Sequence, residues 1–148
     1  MAWKMKLNAP YKGMAHIWNL SAHVGVRAAD RNDRLDVELV QRLFIERYKI
    51  IPPKVARAPK IGRIAVANGE MDAITAVEIY WAGAMSKPLS DAEVISPAKG
   101  GTISYGNGFW TIGYLNWRLF DANRQVWETL PDKCSPQLKA ALLTKTMA

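Results

Sequence analysis

The amino-acid sequence predicts a mainly α-helical domain with three main helices. Three stretches place apolar residues at the three- and four-residue spacing of one helix face. Aspartates that can cap a first turn stand before two of these stretches, at Asp33 and Asp72. Alternation of the kind found in strands is loose and confined to the N-terminal residues. Helices are therefore expected to supply most of the core.

Residues 1–23 are predicted to form an N-terminal arm that is either irregular or a short β-hairpin. Apolar and polar residues alternate loosely from Trp3 to about Val26, and the turn-forming stretch from Asn8 to Gly13 interrupts them. Residues 24–148 are assigned to one helical domain, in a chain of 148 residues that is long enough to bury a single core.

The first helix is predicted from about Arg34 to Lys49, with Asp33 as its cap and Pro52-Pro53 as its end. Its apolar stripe consists of Val37, Val40, Leu43, Phe44 and Tyr48. A long connection follows over residues 51–68, in which residues 64–67 are a candidate short strand.

The second helix is predicted from about Asp72 to Met85. Asp72 can accept hydrogen bonds from the amides of the first turn, and Thr75 can return one to the cap. The stripe predicted to be buried consists of Ala73, Ala76, Val77 and Tyr80. The direction that Trp81 faces stays open at this point.

The third helix is predicted from Thr111 to about Trp127. Its apolar positions step by three and four residues at Ile112, Leu115, Leu119, Ala122 and Val126. A short terminal helix is predicted after the cap at Ser135-Pro136, with Leu138, Ala141 and Leu142 as its apolar residues.

Composition and charge limit the function classes. A net charge of +7 with a pI near 9.7 favours attraction to polyanions or to an acidic cell wall. The single cysteine, Cys134, excludes an internal disulfide. No apolar run reaches the ~20 residues of a membrane span, and no signal peptide is visible. We therefore expect a protein that is cytoplasmic when synthesised, with delivery to the periplasm or cell wall only by a non-classical route.

Three pieces of the sequence, spanning about residues 24–116, resemble modules of the peptidoglycan-binding-domain-like family, found in phage, secretion and cell-wall proteins. The first combines Val24-Gly25 and Asn32 with Asp36, Val37, Val40, Gln41 and Leu43. The second is Gly69, Met71, Asp72, Thr75, Glu78 and Ile79. The third is Asp91, Ile95, Pro97 and Gly100-Gly101, followed by Thr111, Leu115 and Asn116. The chain departs from the family at Tyr80-Trp81, where Phe-Gln is usual, and in a longer tail from Gly101 to Gly108.

The resemblance implies a small three-helix fold and a non-enzymatic binding role. The expected target is bacterial peptidoglycan or a protein partner in a phage or contractile secretion apparatus. Aromatic faces for sugars and cations for carboxylates nominate seven ligand-binding residues: Arg57, Lys60, Arg63, Trp81, Tyr105, Asn107 and Trp110. We expect no cofactor or metal, and the basic residues are not interleaved with aromatics as in nucleic-acid-binding modules.

The alternative is a small cell-wall hydrolase of the muramidase type, or a delivered antibacterial toxin. Such chemistry needs two carboxylates across a cleft, and the candidates are Glu46, Glu70, Asp72 and Glu78. His16 and His23 lack an evident third metal ligand, and no nucleophile motif surrounds Cys134. These patterns favour binding over catalysis.

Overall fold

The protein has a mixed α/β fold. The computed structural model describes residues 2–51, 64–86, 93–105, 108–144 and 146–147. The prediction of a mainly α three-helix bundle is wrong, because the described residues form three small β-sheets as well as five α-helices. Several of the strands are only two residues long, which is too short for an alternation of apolar and polar residues to predict them.

The elements of the described residues follow one another in this order: β1 (Trp3–Tyr11), β2 (Met14–Asn19), β3 (Val24–Gly25), α1 (Arg34–Ile50), α2 (Ala73–Ser86), β4 (Val94–Ile95), β5 (Ser104–Tyr105), β6 (Gly108–Phe109), α3 (Thr111–Ala122), α4 (Arg124–Glu128), a 3₁₀ helix (Leu130–Lys133), α5 (Pro136–Thr144) and β7 (Thr146–Met147).

The predicted arm contains a β-hairpin. β1 and β2 pair antiparallel from Trp3 opposite Asn19 to Tyr11 opposite Met14, with an irregularity after Lys6. Lys12 and Gly13 both have positive φ, at 47° and 91°, as tight hairpin turns require. β7 pairs parallel with the other side of β1. Apolar side chains of the hairpin share one buried cluster with those of the helices, so the hairpin is part of the core.

Two smaller antiparallel pairs complete the strands of the described residues. β3 pairs with β4, and β5 pairs with β6. The candidate strand at residues 64–67 is irregular in the structure, so that prediction is wrong.

The first helix is confirmed. The Asp33 carboxylate accepts hydrogen bonds from the amides of Leu35 and Asp36, at 3.1 and 3.3 Å. The predicted stripe faces the core: Val37, Val40, Leu43 and Phe44 are buried, and Tyr48 packs against the same cluster.

The second helix begins as predicted, but its buried face does not match the prediction. The Asp72 carboxylate accepts from the Thr75 amide at 2.7 Å. The Thr75 hydroxyl, however, accepts from Gln41 on α1 at 3.1 Å. Tyr80 is 51% exposed, whereas Ile79 is only 1% exposed. The side of α2 that packs inward carries Thr75, Glu78, Ile79 and Ala82.

The third predicted helix is divided in two. α3 ends at Ala122, Asn123 is extended, and α4 runs from Arg124 to Glu128. The Asn123 side chain accepts from the Val126 amide at 3.1 Å, which is how asparagine ends one helix and caps the next. The terminal helix is confirmed as α5, with Leu138, Ala141 and Leu142 buried.

Candidate binding groove

A groove of about 340 Å³ runs along the outer face of α2. We call this the α2 groove; its lining residues are Val26, Ala76, Val77, Tyr80, Trp81 and Glu93. Its volume lies at the lower end of the ~300–1,000 Å³ typical of small-ligand sites. Among the described residues the lining is mostly apolar, and its polar groups belong to Tyr80, Trp81 and Glu93. This is the composition of a site that binds by contact area and orients its ligand with few polar groups.

Two aromatic rings dominate the α2 groove. Tyr80 is 51% exposed and Trp81 is 38% exposed. Their ring centroids are 6.2 Å apart with an interplanar angle of 82°, an edge-to-face arrangement. Contiguous exposed apolar surface is a common feature of binding sites, so this pair makes the α2 groove the candidate site.

Gln41 of α1 fixes the start of α2 and thereby the direction of the groove. Its side-chain nitrogen lies within hydrogen-bonding distance of Asn68 Oδ1, the Glu70 carbonyl and Thr75 Oγ1, at 3.3, 3.0 and 3.1 Å. Its side-chain oxygen accepts from the Gly69 amide at 2.9 Å. One buried amide therefore holds both the loop before α2 and its first turn.

Glycine is required at position 69, where the chain passes close to Arg34 of α1. Its φ is +78°, a conformation that side chains with a Cβ rarely adopt. A Cβ at this position would lie 2.5 Å from Arg34 Cγ and 2.8 Å from the Arg34 carbonyl oxygen. The glycine thus permits the chain to pass against the first turn of α1.

A second polar contact holds the middle of α2 inward. The Tyr48 hydroxyl donates to Glu78 Oε2 at 3.1 Å, and Glu78 is fully buried. Burial, followed by the Glu78 charge, raises the pKa of Tyr48, so the phenol remains protonated and continues to donate. With Thr75 and Glu78 held against α1, the opposite stripe of α2 must face outward.

The structure separates the sequence-predicted site residues. Trp81 lies in the α2 groove, whereas Trp110 does not contribute to its lining. Trp110 is half-buried before α3, and its indole nitrogen donates to Thr102 Oγ1 at 3.4 Å. Arg57, Lys60, Arg63 and Asn107 lie outside the described residues, and Tyr105 is described only by its backbone in β5.

Sequence reasoning missed most of the groove. It assigned Ala76, Val77 and Tyr80 to the core and did not single out Val26 or Glu93. The available signal was the pair of polar residues Thr75 and Glu78 on the opposite stripe, which could be recognised as inward-facing only with their α1 partners known.

Three of the four candidate hydrolase carboxylates, Glu46, Asp72 and Glu78, have internal partners. The side chain of Glu46 is 1% exposed and contacts Lys133, Lys49 and Arg42 at 2.9, 3.1 and 3.4 Å. Burial alone would raise its pKa, but hydrogen bonds from the two lysines bring the pKa of Glu46 below its usual value. A glycosidase acid needs the opposite shift. Asp72 serves as a helix cap.

His16 is enclosed by aromatic rings. Its ring lies 4.7 Å from that of Trp18 and 4.6 Å from that of Trp127. Its Nε2 atom is buried with no hydrogen-bond partner in the part of the chain that the structure describes. Burial, and then the charge of Lys4, lowers the pKa of His16 to about 4. The imidazole is therefore neutral at physiological pH. Its neighbours are those of a core residue.

Cys134 is not an activated nucleophile. Its Sγ atom donates to the Leu130 carbonyl at 3.3 Å. Burial, and then the Glu38 carboxylate, raises the pKa of the thiol to about 12. In the described ranges, moreover, no three His, Cys, Asp or Glu side chains come together as a metal site would require.

Comparisons with known proteins leave the family open, since no protein-family model, curated protein or solved structure matches the chain. No helix of the described residues combines the length and apolar character needed to cross a bilayer.

Several residues that carry the family resemblance form internal hydrogen bonds. The Asn32 side chain bonds both the amide and the carbonyl of Gly25, at 2.9 Å each. The Asn116 side chain links the backbone of Trp18 to the indole nitrogen of Trp127, at 2.8 to 3.0 Å. With Gln41 and Asp72, these residues stabilise the fold, and none of them lines the α2 groove.

Proposed function

We propose that the protein is a non-enzymatic binding module that recognises bacterial cell-wall peptidoglycan in the α2 groove. The observation that carries this proposal is the exposed, adjacent pair of Tyr80 and Trp81 in a groove of about 340 Å³. Aromatic rings offer flat apolar faces to pyranose rings, and the Tyr80 hydroxyl and the Trp81 indole N–H offer polar edges to sugar hydroxyls.

The remaining lining fits the other groups of peptidoglycan. Val26, Ala76 and Val77 offer an apolar wall to N-acetyl and alanine methyl groups. The Glu93 carboxylate can accept hydrogen bonds from sugar hydroxyls, amide N–H groups or the amino group of a stem peptide. The net charge of +7 adds long-range attraction to an anionic wall. The resemblance to peptidoglycan-binding-like modules supports the same target.

Co-sedimentation with purified insoluble peptidoglycan tests the proposal. Trp81→Ala and Tyr80→Ala should each weaken binding about tenfold, which corresponds to ~1.4 kcal/mol of lost contact. Leu143→Ala is the matched control, because Leu143 is 57% exposed on α5 and does not line the groove. Wild-type binding by both groove variants, with their folds confirmed by circular dichroism, would refute this site.

Two further measurements separate the competing functions. Binding in a shaped groove should persist at ~0.3 M salt, whereas attraction to any polyanion collapses there. Clearing of a peptidoglycan suspension by the wild-type protein would contradict the non-enzymatic role and favour the hydrolase. If the wild-type protein does not bind peptidoglycan but does bind a protein of a phage or secretion apparatus, the α2 groove is instead a site for that protein partner.

A further inference from the structure

Four half-buried aromatic rings meet where the turn of the β1–β2 hairpin packs against α3. We call these residues the aromatic cluster: Tyr11, Phe109, Tyr114 and Trp117. The Tyr11 ring contacts those of Phe109 and Trp117, with centroids 5.9 and 5.0 Å apart. The Phe109 and Tyr114 centroids are 6.2 Å apart. Since Tyr11 stands about 100 residues from the other three in the chain, only the fold assembles the cluster.

Two cations lie against the rings of the aromatic cluster. The Lys12 ammonium lies 5.4 Å from the centre of the Trp117 ring and 5.6 Å from that of Tyr11. The Arg118 guanidinium lies 5.5 Å from the centre of the Tyr114 ring, and its Nη1 donates to the Tyr114 hydroxyl at 3.3 Å. In the part of the chain that the structure describes, neither cation has a carboxylate oxygen within 4.0 Å. Both charges are therefore available to an anion.

The chain segments that build this surface contain no acidic residue. Asp and Glu are absent from residues 1–29 and from residues 94–120. The two segments are joined at Asn8, whose side chain donates to the Gly100 carbonyl at 2.7 Å and whose backbone amide donates to the Gly101 carbonyl at 2.9 Å. Their cations are therefore not offset by acids of the same segments.

Two acids of other segments lie in the neighbourhood of Arg118. Asp121 is exposed and follows Arg118 by three residues on α3, without an ion pair between them. Glu78 and Arg118 both act electrostatically on Tyr48, but Glu78 is fully buried and accepts from the Tyr48 hydroxyl at 3.1 Å. Asp121 is thus an acid at the rim, and the rest of the surface around the aromatic cluster is positive.

Aromatic rings with cations and few acids suit a nucleic-acid strand whose bases are unpaired. Such proteins stack bases on aromatic faces and hold the phosphates with lysine and arginine. A neutral sugar fits less well, because its hydroxyl donors would find only the tyrosine oxygens as side-chain acceptors in the cluster. A bilayer fits less well too, since interfacial binding buries protruding apolar side chains. The most exposed large apolar residues of the described chain lie outside the cluster.

We propose that the aromatic cluster, with Lys12 and Arg118, binds single-stranded nucleic acid. The two cations contact phosphates, and bases stack on the rings of Tyr11 and Trp117. Lys12 is exposed, so its ammonium can move from the Trp117 ring to a phosphate as a base takes its place. The expectation against nucleic acid considered only the order of residues along the chain, which does not show Lys12 beside Trp117.

This surface is separate from the α2 groove. None of the residues of the aromatic cluster lines that groove, and neither Lys12 nor Arg118 does so. The inference therefore goes beyond the proposed function and does not depend on it.

Fluorescence anisotropy with a labelled oligo-dT strand of about 20 nucleotides tests the proposal. We expect a Kd of about 10 µM at ~0.1 M salt, within the range of sequence-independent binding. An abasic strand of the same length keeps the phosphates and should bind about tenfold more weakly, because stacking is lost. Equal affinity for the two strands would overturn the proposal. Binding to anionic lipid vesicles without binding to oligo-dT would also overturn it, in favour of a membrane surface.

Matched variants assign the binding to the aromatic cluster. Trp117→Ala should weaken oligo-dT binding about tenfold with little change in its salt dependence. Lys12→Gln should weaken it severalfold and reduce the slope of log K against log salt by ~0.7, the contribution of one phosphate contact. Lys139→Gln removes another exposed lysine, on α5, and should bind within about twofold of the wild type.

Two controls keep the outcome decisive. If Trp117→Ala does not fold, Lys12→Gln decides, because it changes only an exposed turn residue. Trp81→Ala should retain full oligo-dT binding, so loss of the α2 groove and loss of the aromatic cluster are distinguishable. Undiminished binding by Lys12→Gln, or an equal loss in Lys139→Gln, would overturn the site.

Discussion

The two faces of α2 are both rich in apolar residues, yet only one is buried. The inner face carries Thr75, Glu78 and Ile79, whereas the outer face carries Tyr80 and Trp81. Hydrophobicity alone would bury the outer face, because it has the larger apolar surface. The inner face packs against α3 and β4, and its two polar side chains can be buried there because they have hydrogen-bond partners on α1. Complementary hydrogen bonding therefore decided the orientation of this helix, and it left an aromatic surface available for binding.

A substitution at Gln41 should have the largest effect on the difference between the two faces of α2. Gln41→Leu removes the acceptor of the Gly69 amide and the donor to Thr75 and Glu70. Since each buried group left without a partner costs ~1–3 kcal/mol, the free energy of unfolding should fall by roughly 3–5 kcal/mol. Urea denaturation measures it. Gln125→Leu, at an exposed position of α4, should change stability by less than ~0.5 kcal/mol. A loss below ~1 kcal/mol for Gln41→Leu would mean that this side chain does not orient α2.

Apolar residues of the inner face of α2 should also contribute more to stability than those of the outer face. Ile79→Ala should lower the free energy of unfolding by about 2–4 kcal/mol, because Ile79 is 1% exposed in the core. Trp81→Ala, its outer-face counterpart, should lower it by less than ~1 kcal/mol despite the larger side chain. Similar losses from both substitutions in urea denaturation would show that the outer face is also packed.

The tyrosines give a matched pair for the polar contacts. Tyr48→Phe removes the donor to the buried Glu78 carboxylate and should cost about 1.5–3 kcal/mol, the range for hydrogen bonds to charged groups. Tyr80→Phe removes an exposed hydroxyl and should leave stability within ~0.5 kcal/mol of the wild type. Thermal and urea unfolding of the two variants side by side would distinguish them. A larger cost for Tyr80→Phe would contradict the assignment of faces.

His16 provides a contrast to the polar groups of α2, because its buried Nε2 has no hydrogen-bond partner in the described part of the chain. The ordinary pKa of 6.5 applies to the unfolded chain, whereas the pKa of His16 in the folded protein is about 4. Between these pH values the unfolded chain binds a proton that the folded protein excludes, so stability falls as the pH drops. We expect this part of the loss to be roughly 1–3 kcal/mol between pH 7 and pH 4.

Urea denaturation across that pH range, with His16→Gln as the comparison, isolates the contribution. The variant should lose less stability than the wild type on acidification, while His23→Gln should retain the His16-dependent loss. Identical acid profiles for the wild type and His16→Gln would show that the imidazole is not excluded from protonation in the folded protein.

Local signals made several elements predictable. Asp33, Asp72 and Ser135 each accept a hydrogen bond from an amide in the first turn of the helix they precede, so the start of a helix is encoded within four residues. The stripe of α1 was also predictable, since Val37, Val40, Phe44 and Tyr48 recur at helical spacing; Leu39 and Ile45, outside that stripe, are buried as well.

The division of α3 from α4 had the same kind of signal in the cap residue Asn123, but the apolar spacing that continues to Val126 concealed it. The pairing of β3 with β4 had no local signal. The β3–β4 pair joins two-residue segments about 70 residues apart in the chain.

The candidate site was less predictable than the fold. Trp81 was nominated from its place near a helix end, but Tyr80 was assigned to the core because it shared a stripe with alanine and valine. α2 has apolar residues on nearly every side, so periodicity could not choose which stripe to bury. The residues of the family resemblance did not indicate the groove, because they stabilise the helix starts.

The sequence by itself determined where α1, α2 and α5 begin, the basic charge of the chain and the supply of aromatic side chains. These properties depend on neighbouring residues or on composition. Only the tertiary structure decided that Tyr80 and Trp81 face outward. That choice depended on partners for Thr75 and Glu78 that stand about 30 residues away in the chain, at Gln41 and Tyr48. A buried polar side chain is stable only with a hydrogen-bond partner, and partners that lie far apart in the sequence come together only in the folded chain.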